Sequence, residues 1–346
     1  MWTELAIIPL LYSYSPNKFN INFMSIPDFK PNLLVRNKHL QTILSSKKRP
    51  VFDQMIKNEQ LINLKVETDE IVHLNGCYSP HVQPVGLVIL LHGWLGCVRS
   101  SYMLARGEQL YKKGYSVFRL NMRDHGQTVA LNEGIFHGCR LEEVFQAVKQ
   151  IAELKPELPV SLVGFSMGGS FALRVGWRQS ITDEPIKNLK KIIAICPSVN
   201  PEQVTDAIDK SKIYRHYFCN RWRNNLIEKQ KCFPELYDFS DLLSMKSCKQ
   251  ITAALIEKYS DFPDMDAYFS EYHFSQDKLR MVNIPMTVLA AADDPVIPID
   301  GFSELKNINS LFNLNITDYG GHVGYINTLM GDSWLDMVLP TLMATK

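Results

Sequence analysis

The sequence predicts an α/β fold: a mostly parallel central sheet flanked by helices, with a helical insertion and an N-terminal extended arm. Two observations predict this fold. Apolar runs of strand length recur along the chain, and segments of helical character lie between them. Residues 85–91 are a continuous apolar run, which is typical of a strand buried on both faces. Helical residues 100–113 and an apolar run at 115–121 follow, and this succession predicts parallel pairing.

The other elements can be justified in chain order. Residues 26–50 are rich in proline and charge and predict an extended arm with a short helix. Residues 59–78 predict two short strands joined by a polar turn, and so an antiparallel start to the sheet. Residues 141–154 have the 3.6-residue apolar period of an amphipathic helix, and residues 170–178 predict another helix. Further strands are predicted at residues 160–163, 189–196, 284–291 and 313–317.

The composition changes at residues 199–280, where aromatic and basic residues alternate and no strong strand signal occurs. This pattern predicts a helical lid inserted between two strands, which would cover the site and supply an apolar wall. Within it, the basic and aromatic residues 210–231 have two interpretations. They either pack aromatic rings on the core and expose their charges, or they bind an anionic membrane or a phosphorylated lipid headgroup.

Length and charge restrict the class of protein. The 346 residues fit one α/β domain at residues 26–346 that carries an insertion. Lysine and arginine number 37 against 36 aspartate and glutamate residues, so no strong positive field favours nucleic acid as a partner. The seven cysteines lack a CxxC pair, which indicates reduced thiols in a cytoplasmic protein rather than a disulfide framework or a metal site.

The first 25 residues are predicted to be a poorly ordered extension. Residues 5–12 are apolar, but they are far fewer than the roughly 20 needed to cross a bilayer, and they lack the basic start of a signal peptide. Two alternatives stay open. Translation could start at Met24, so that residues 1–23 are absent from the native protein, or the apolar stretch could make a weak membrane-surface contact.

The strongest local motif is Gly164-Phe165-Ser166-Met167-Gly168, which joins a predicted strand to a predicted helix. Glycines on either side of a serine allow a sharp strand-to-helix turn that exposes the hydroxyl. We therefore predict that Ser166 is a nucleophile. The N–H of Met167, at the start of the helix, is predicted to stabilise an oxyanion.

A serine nucleophile needs a base and an acid that orients the base. Asp294 and His322 follow Ser166 in the chain order known for such enzymes, and each lies just after a predicted strand. Loops at the carboxyl ends of parallel strands meet in one crevice, so these side chains are expected to converge. Asp293 competes for the role of acid, and Asp294 is chosen because it lies one step deeper in the turn.

Three other histidines lie near predicted strand ends. His125 and His137 follow the strand at 115–121 and could line a substrate pocket, but neither comes after the acid in sequence. His92 precedes Gly93-Trp94, in the loop that supplies a second oxyanion donor in such sites, and Trp94 N–H is predicted to be that donor. His92 itself is interpreted as a structural residue.

Together these blocks resemble the α/β-hydrolase superfamily, specifically AB hydrolase family four, the YheT-like esterases, whose eukaryotic relatives include lipid-acting hydrolases. The resemblance spans residues 27–340. Its motifs are Asn37-x-His39-Leu40-Gln41-Thr42, His92-Gly93 with Gly96, the serine motif, Asp293-Asp294-Pro295 and Gly320-Gly321-His322-Val323-Gly324. The resemblance implies that Ser166, Asp294 and His322 are catalytic. The chain departs from the family at Arg123-Asp124-His125-Gly126, where Arg-Gly-Cys is common, which weakens inference about the substrate from relatives.

The expected function is hydrolysis of carboxylic esters with a hydrophobic acyl chain by a carboxylesterase or lipase-like serine hydrolase, without metal or cofactor. The expected substrate is a small acyl ester or a lipid. One alternative is acyl transfer to an alcohol in place of water. Another is a non-catalytic binding module, although such a protein would usually have lost one of the three catalytic side chains.

Overall fold

A computed structural model describes residues 26–47 and 54–344 of the chain. The extension predicted at residues 1–25, the alternative start at Met24 and the predicted membrane contact lie outside the described residues.

The described residues form one eight-stranded sheet in the order β1-β2-β4-β3-β5-β6-β7-β8. The strands are β1 Gln60–Glu67, β2 Ile71–Ser79, β3 Gly86–Leu91, β4 Tyr115–Asn121, β5 Val160–Phe165, β6 Leu189–Ile195, β7 Met286–Ala291 and β8 Phe312–Thr317. β2 pairs antiparallel with β1 and with β4, and all other neighbours are parallel. The predicted fold class, including its antiparallel start, is therefore confirmed.

Helices cover the sheet and fill the long connection between β6 and β7. They are α1 Lys38–Ser45, α2 Gln54–Lys57, α3 Ser101–Lys112, α4 Leu141–Glu153, α5 Met167–Ile181, α6 Pro201–Lys210, α7 Lys212–Cys232, α8 Ser240–Ser244, α9 Cys248–Tyr259, α10 Met265–Tyr272, α11 Gln276–Arg280 and α12 Leu335–Ala344. Helices α6 to α11 occupy the region where the sequence predicts a helical insertion. No helix among residues 26–47 and 54–344 has both the length and the apolarity that a bilayer span requires.

The sequence did not predict helix α12, which contains Pro340. A proline inside a helix lacks the N–H that would bond the carbonyl four residues earlier, so it usually ends or kinks the helix. Here that carbonyl belongs to Asp336, and it accepts a hydrogen bond from the Gln109 side chain of α3 instead. The helix is also held by its buried residues, among them Leu335 and Leu339.

The loops that follow the central parallel strands begin at the same edge of the sheet, where the strands have their carboxyl ends. Every residue of β3, β5 and β7 is buried, as expected for parallel strands covered on both faces. Leu91 at the end of β3 is in register with Gly164 near the end of β5. At the other side, Ala291 is in register with Thr317, so the loops after β7 and β8 start level with each other.

Candidate active site

The turn after β5 holds Ser166 in an unusual backbone conformation, with φ 54° and ψ −120°. A Cβ on Gly164 would lie 2.0 Å from the Gly168 carbonyl oxygen, and a Cβ on Gly168 would lie 2.4 Å from the His92 carbonyl oxygen. Neither contact is possible for a side chain, so both glycines are required by backbone packing. Ser170 N–H donates to the Ser166 carbonyl (3.0 Å), and α5 therefore starts directly after the serine.

His322 lies between the two other predicted residues. Its Nε2 is 2.9 Å from Ser166 Oγ and its Nδ1 is 2.9 Å from Asp294 Oδ2. The structure therefore brings Ser166 into contact with a histidine that lies 156 positions further along the chain, and that histidine contacts an aspartate 28 positions before it. An Nδ1–H that donates to the carboxylate leaves Nε2 as an acceptor for the serine hydroxyl.

The Asp294 carboxylate is fixed from both sides. Its second oxygen, Oδ1, accepts hydrogen bonds from Val296 N–H (2.8 Å) and Ile297 N–H (3.0 Å). The side chain is only 2% exposed. Because one oxygen is held by backbone donors, the other is directed at the His322 ring.

Asp293, the competing acid, has a different partner. Its Oδ1 accepts a hydrogen bond from Gly321 N–H at 2.9 Å. Burial raises the pKa of Asp293, and the Gly321 N–H opposes that rise. The two neighbouring carboxylates therefore hold different parts of one loop: Asp294 contacts the imidazole, and Asp293 contacts the backbone just before it.

The loop after β3 lies directly against the serine. A Cβ on Gly93 would be 3.1 Å from Ser166 Cβ, and Gly93 N–H donates to the Tyr102 hydroxyl (2.8 Å). Burial raises the pKa of Tyr102 to about 12, so it stays a neutral phenol. Because the Gly93 N–H already donates to Tyr102, the next backbone N–H along the chain is that of Trp94, which is the predicted oxyanion donor. Sequence reasoning missed Tyr102, because a tyrosine in the first turn of a helix gives no local sign of such a contact.

His92 is buried, and each of its ring nitrogens has a backbone partner. Nδ1 lies 2.8 Å from the Gly93 carbonyl oxygen, and Met122 N–H donates to Nε2 (3.2 Å). These contacts require the proton on Nδ1 and a neutral ring. Burial lowers the pKa of His92 to about 3, which agrees with a neutral ring. The ring thus ties the loop after β3 to the end of β4.

His125 and His137 lie in different cavities. His137 lines a cavity of about 70 Å³ that also touches Met167 and Trp94, and burial lowers its pKa to about 3. His125 lines a smaller neighbouring cavity, and its Nδ1 lies 2.6 Å from the Arg123 carbonyl. Burial lowers the pKa of His125 to about 4. His137 thus shares a cavity with Met167.

The cavity beside Met167 is lined partly by apolar and aromatic side chains from the helices between β6 and β7. Residues from this region that line it include Val204, Ile208, Trp222, Tyr268 and Tyr272. A group that enters this cavity would therefore meet aliphatic and aromatic side chains on that side.

Helix α7 packs on the loop after β3. The Trp94 indole stacks on Phe218, with ring centroids 5.5 Å apart, and meets Trp222 edge to face at 4.8 Å. Arg221 donates to the Leu95 carbonyl. The conformation of this loop is thus set partly by side chains of the helical region.

Helix α7 also reaches the loop after β4, which contains Arg123-Asp124-His125-Gly126. Lys229 Nζ donates to Asp124 Oδ1 (2.9 Å) and to the Asn132 carbonyl (2.6 Å). The Lys229 and Asp124 side chains are 1% and 3% exposed, so this is a buried ion pair. Asn225 donates to the Asp124 carbonyl (2.7 Å) from the same helix.

Among residues 26–47 and 54–344, two groups of side chains have the composition of metal ligands. They are Cys196 with Asp294 and His322, and Asp209 with Cys219 and Cys248. In the first group the acid and the imidazole already bond each other, and burial raises the pKa of Cys196 well above its usual range, which favours a neutral thiol. In the second, Asp209 accepts the N–H groups of Cys248 and Lys249 at the start of α9.

A serine on a strand-to-helix turn, with an aspartate and a histidine from loops after later strands, is the arrangement of the α/β-hydrolase class. The chain belongs to the alpha/beta hydrolase fold family, whose family model matches residues 86–327. The predicted superfamily is therefore confirmed.

The chain is similar to several proteins with which it shares little sequence identity. Phospholipase ABHD3 of Bos taurus is 22% identical over 247 residues, which cover 69% of this chain and 58% of that protein. The chain thus matches less than two thirds of that relative's length. An abhydrolase domain-containing protein of Dictyostelium discoideum is 22% identical over 92% of this chain and 81% of its own length. The esterase Pf2001 of Pyrococcus furiosus has a similar fold, with a TM-score of 0.54 and 17% identity over 86% of this chain and 96% of that one.

Proposed function

We propose that the protein is a serine hydrolase that cleaves carboxylic esters with a hydrophobic acyl chain. One observation carries the proposal: Ser166 Oγ lies 2.9 Å from an imidazole nitrogen whose partner nitrogen is 2.9 Å from a buried carboxylate. This geometry meets the requirement that a nucleophile contacts its base and the base contacts an orienting acid.

In the proposed reaction, Ser166 Oγ attacks the ester carbonyl carbon while His322 Nε2 takes the hydroxyl proton. A tetrahedral intermediate forms and collapses, the bond to the alcohol oxygen breaks, and His322 returns the proton to the departing alcohol. Water then attacks the acyl-serine, gives one proton to His322 and releases the carboxylic acid, and the proton returns to Ser166. Asp294 stabilises the imidazolium in both halves.

The oxyanion of each intermediate is proposed to accept hydrogen bonds from Met167 N–H and Trp94 N–H. Met167 opens α5, where the first N–H groups have no partner within the helix. A donor of this kind is typically worth about 3 kcal/mol of transition-state stabilisation.

Helices α6 to α11 are proposed to act as a lid, and the apolar and aromatic side chains that they place in the cavity, such as Ile208 and Trp222, support a hydrophobic acyl chain as substrate. The relatives named as a phospholipase and an esterase agree with an ester substrate. The arm motif Asn37-x-His39-Leu40-Gln41-Thr42 supports the finer assignment to the YheT-like family four. All seven cysteines are free, which supports a cytoplasmic location.

Hydrolysis of p-nitrophenyl esters from acetate to octanoate, by wild type and Ser166→Ala, tests this proposal. We expect wild type to release nitrophenol, with kcat/KM rising by up to about fourfold per added methylene while the chain stays in apolar surroundings. Ser166→Ala is expected to lower kcat by at least roughly 10⁴-fold.

Each part of the proposal has its own contrary result. Release no faster than in buffer for every ester would contradict a hydrolase, and a kcat/KM that falls from acetate onward would contradict a hydrophobic acyl site. In the presence of a short alcohol, formation of a new ester in place of free acid would favour acyl transfer.

A further inference from the structure

The N-terminal arm lies against the loop that carries His322, although the two are about 280 positions apart in sequence. Gln41 of α1 is fully buried, and its side-chain amide bonds both backbone groups of Ile326: Ile326 N–H donates to Oε1 (2.7 Å), and Nε2 donates to the Ile326 carbonyl (2.9 Å). The second amide hydrogen bonds the Val35 carbonyl (2.7 Å). The glutamine thus pairs with the loop as a neighbouring strand would.

The next residue of the arm contacts His322 itself. His322 N–H donates to Thr42 Oγ1 (2.9 Å), and the same hydroxyl donates to the Lys38 carbonyl one turn earlier (2.8 Å). The hydroxyl proton is therefore directed away from the histidine, which leaves the oxygen free to accept. The imidazole ring is held by Asp294, and the backbone of the same residue is held by Thr42.

Two glycines allow this close approach. Gly321 has φ 53°, and a Cβ there would lie 2.5 Å from the Lys38 carbonyl oxygen. A Cβ on Gly324 would lie 2.7 Å from the Gln41 carbonyl oxygen. Both distances are to main-chain atoms of α1 that cannot move aside. Glycine is therefore needed at both positions for the His322 loop to pack against α1.

We infer that α1 is a positioning element for the base, with Gln41 and Thr42 holding the His322 loop in the arrangement that places Nε2 against Ser166. This inference rests on the proposed function. Helix α1 lies outside residues 86–327, the segment that matches the family model, so this support comes from a part of the chain outside the matched segment. A loop ordered in advance lowers the cost of reaching the reactive geometry, because no ordering remains when the substrate binds.

Thr42→Val and Thr42→Ser form the matched pair that tests it. Valine keeps the shape of threonine but cannot accept from His322 N–H, whereas serine keeps the hydroxyl and loses only a methyl group. We expect Thr42→Val to lower kcat by about 10-fold with KM within about twofold of wild type, since small displacements of a catalytic group slow the reaction. Thr42→Ser should keep kcat within about threefold of wild type.

Rates are to be expressed per active site, counted by the end point of fluorophosphonate labelling. A variant that only contains less folded protein is then not mistaken for one with a lower kcat. Thr68→Val is the control, because its hydroxyl also makes backbone hydrogen bonds, to Glu70 in the turn between β1 and β2. Its kcat should equal that of wild type.

Unchanged kcat in Thr42→Val, or equal losses in Thr42→Val and Thr42→Ser, would overturn the inference while leaving a labelled, active wild type in place. A wild type that does not label at all would overturn the proposed function, and the positioning role with it. The two failures are therefore distinguishable.

Discussion

Asp294→Asn is expected to lower kcat by about 10⁴-fold with little change in fold, because the change affects the tautomer of the base. Asp294 Oδ2 lies 2.9 Å from His322 Nδ1, and its other oxygen accepts two backbone N–H groups. An asparagine that keeps its oxygen on those donors turns its NH₂ toward Nδ1. The proton of the neutral ring then moves to Nε2, which can no longer accept from Ser166. Steady-state kinetics on an activated ester measure the effect.

Asp293→Asn is the matched control. Its amide oxygen can still accept from Gly321 N–H. We expect a loss of less than about 10-fold, since the imidazole keeps its own carboxylate. A larger loss in Asp293→Asn than in Asp294→Asn would reverse the assignment of the acid.

Lys229→Ala is expected to lower the free energy of unfolding by about 3–5 kcal/mol, because it leaves the Asp124 carboxylate buried without its cation. The two side chains are 1% and 3% exposed and 2.9 Å apart. Burial raises the pKa of Asp124, and the Lys229 ammonium opposes that rise. Urea unfolding followed by circular dichroism measures the loss.

Lys231→Ala, two residues further along α7, is the control, because its side chain is exposed and the change should stay within about 0.5 kcal/mol of wild type. The double variant Lys229→Ala with Asp124→Asn should recover part of the lost stability, since no buried charge is left unpaired. A loss below about 1 kcal/mol in Lys229→Ala would contradict the account of this ion pair.

The sequence allowed the sheet and the convergence of three side chains to be predicted, because both follow from short-range signals. Apolar runs identify buried parallel strands, and residues placed just after such strands meet at one edge whatever lies between them. The same reasoning predicts that the side chains of Ser166, Asp294 and His322 lie close together. It could rank Asp294 above Asp293 only by position in the turn, whereas the structure gives each carboxylate a distinct partner.

What could not be predicted depends on contacts between distant segments. Helix α12 contains a proline that local rules place at a helix end, and the Gln109 side chain that satisfies the free carbonyl lies 227 positions away. The Tyr102 hydroxyl on Gly93 N–H has no local signature. The arm motif was recognised by resemblance, yet nothing in its residues indicated that Thr42 would meet His322 N–H.

The most direct test of the central claim is fluorophosphonate labelling of the folded protein, with the modified residue located by mass spectrometry. The account predicts one adduct, on Ser166, and a labelling rate that falls by at least roughly 10³-fold in His322→Ala, since the hydroxyl then has no base. Absence of an adduct on Ser166 in folded protein would contradict the account, and so would labelling of His322→Ala at an undiminished rate.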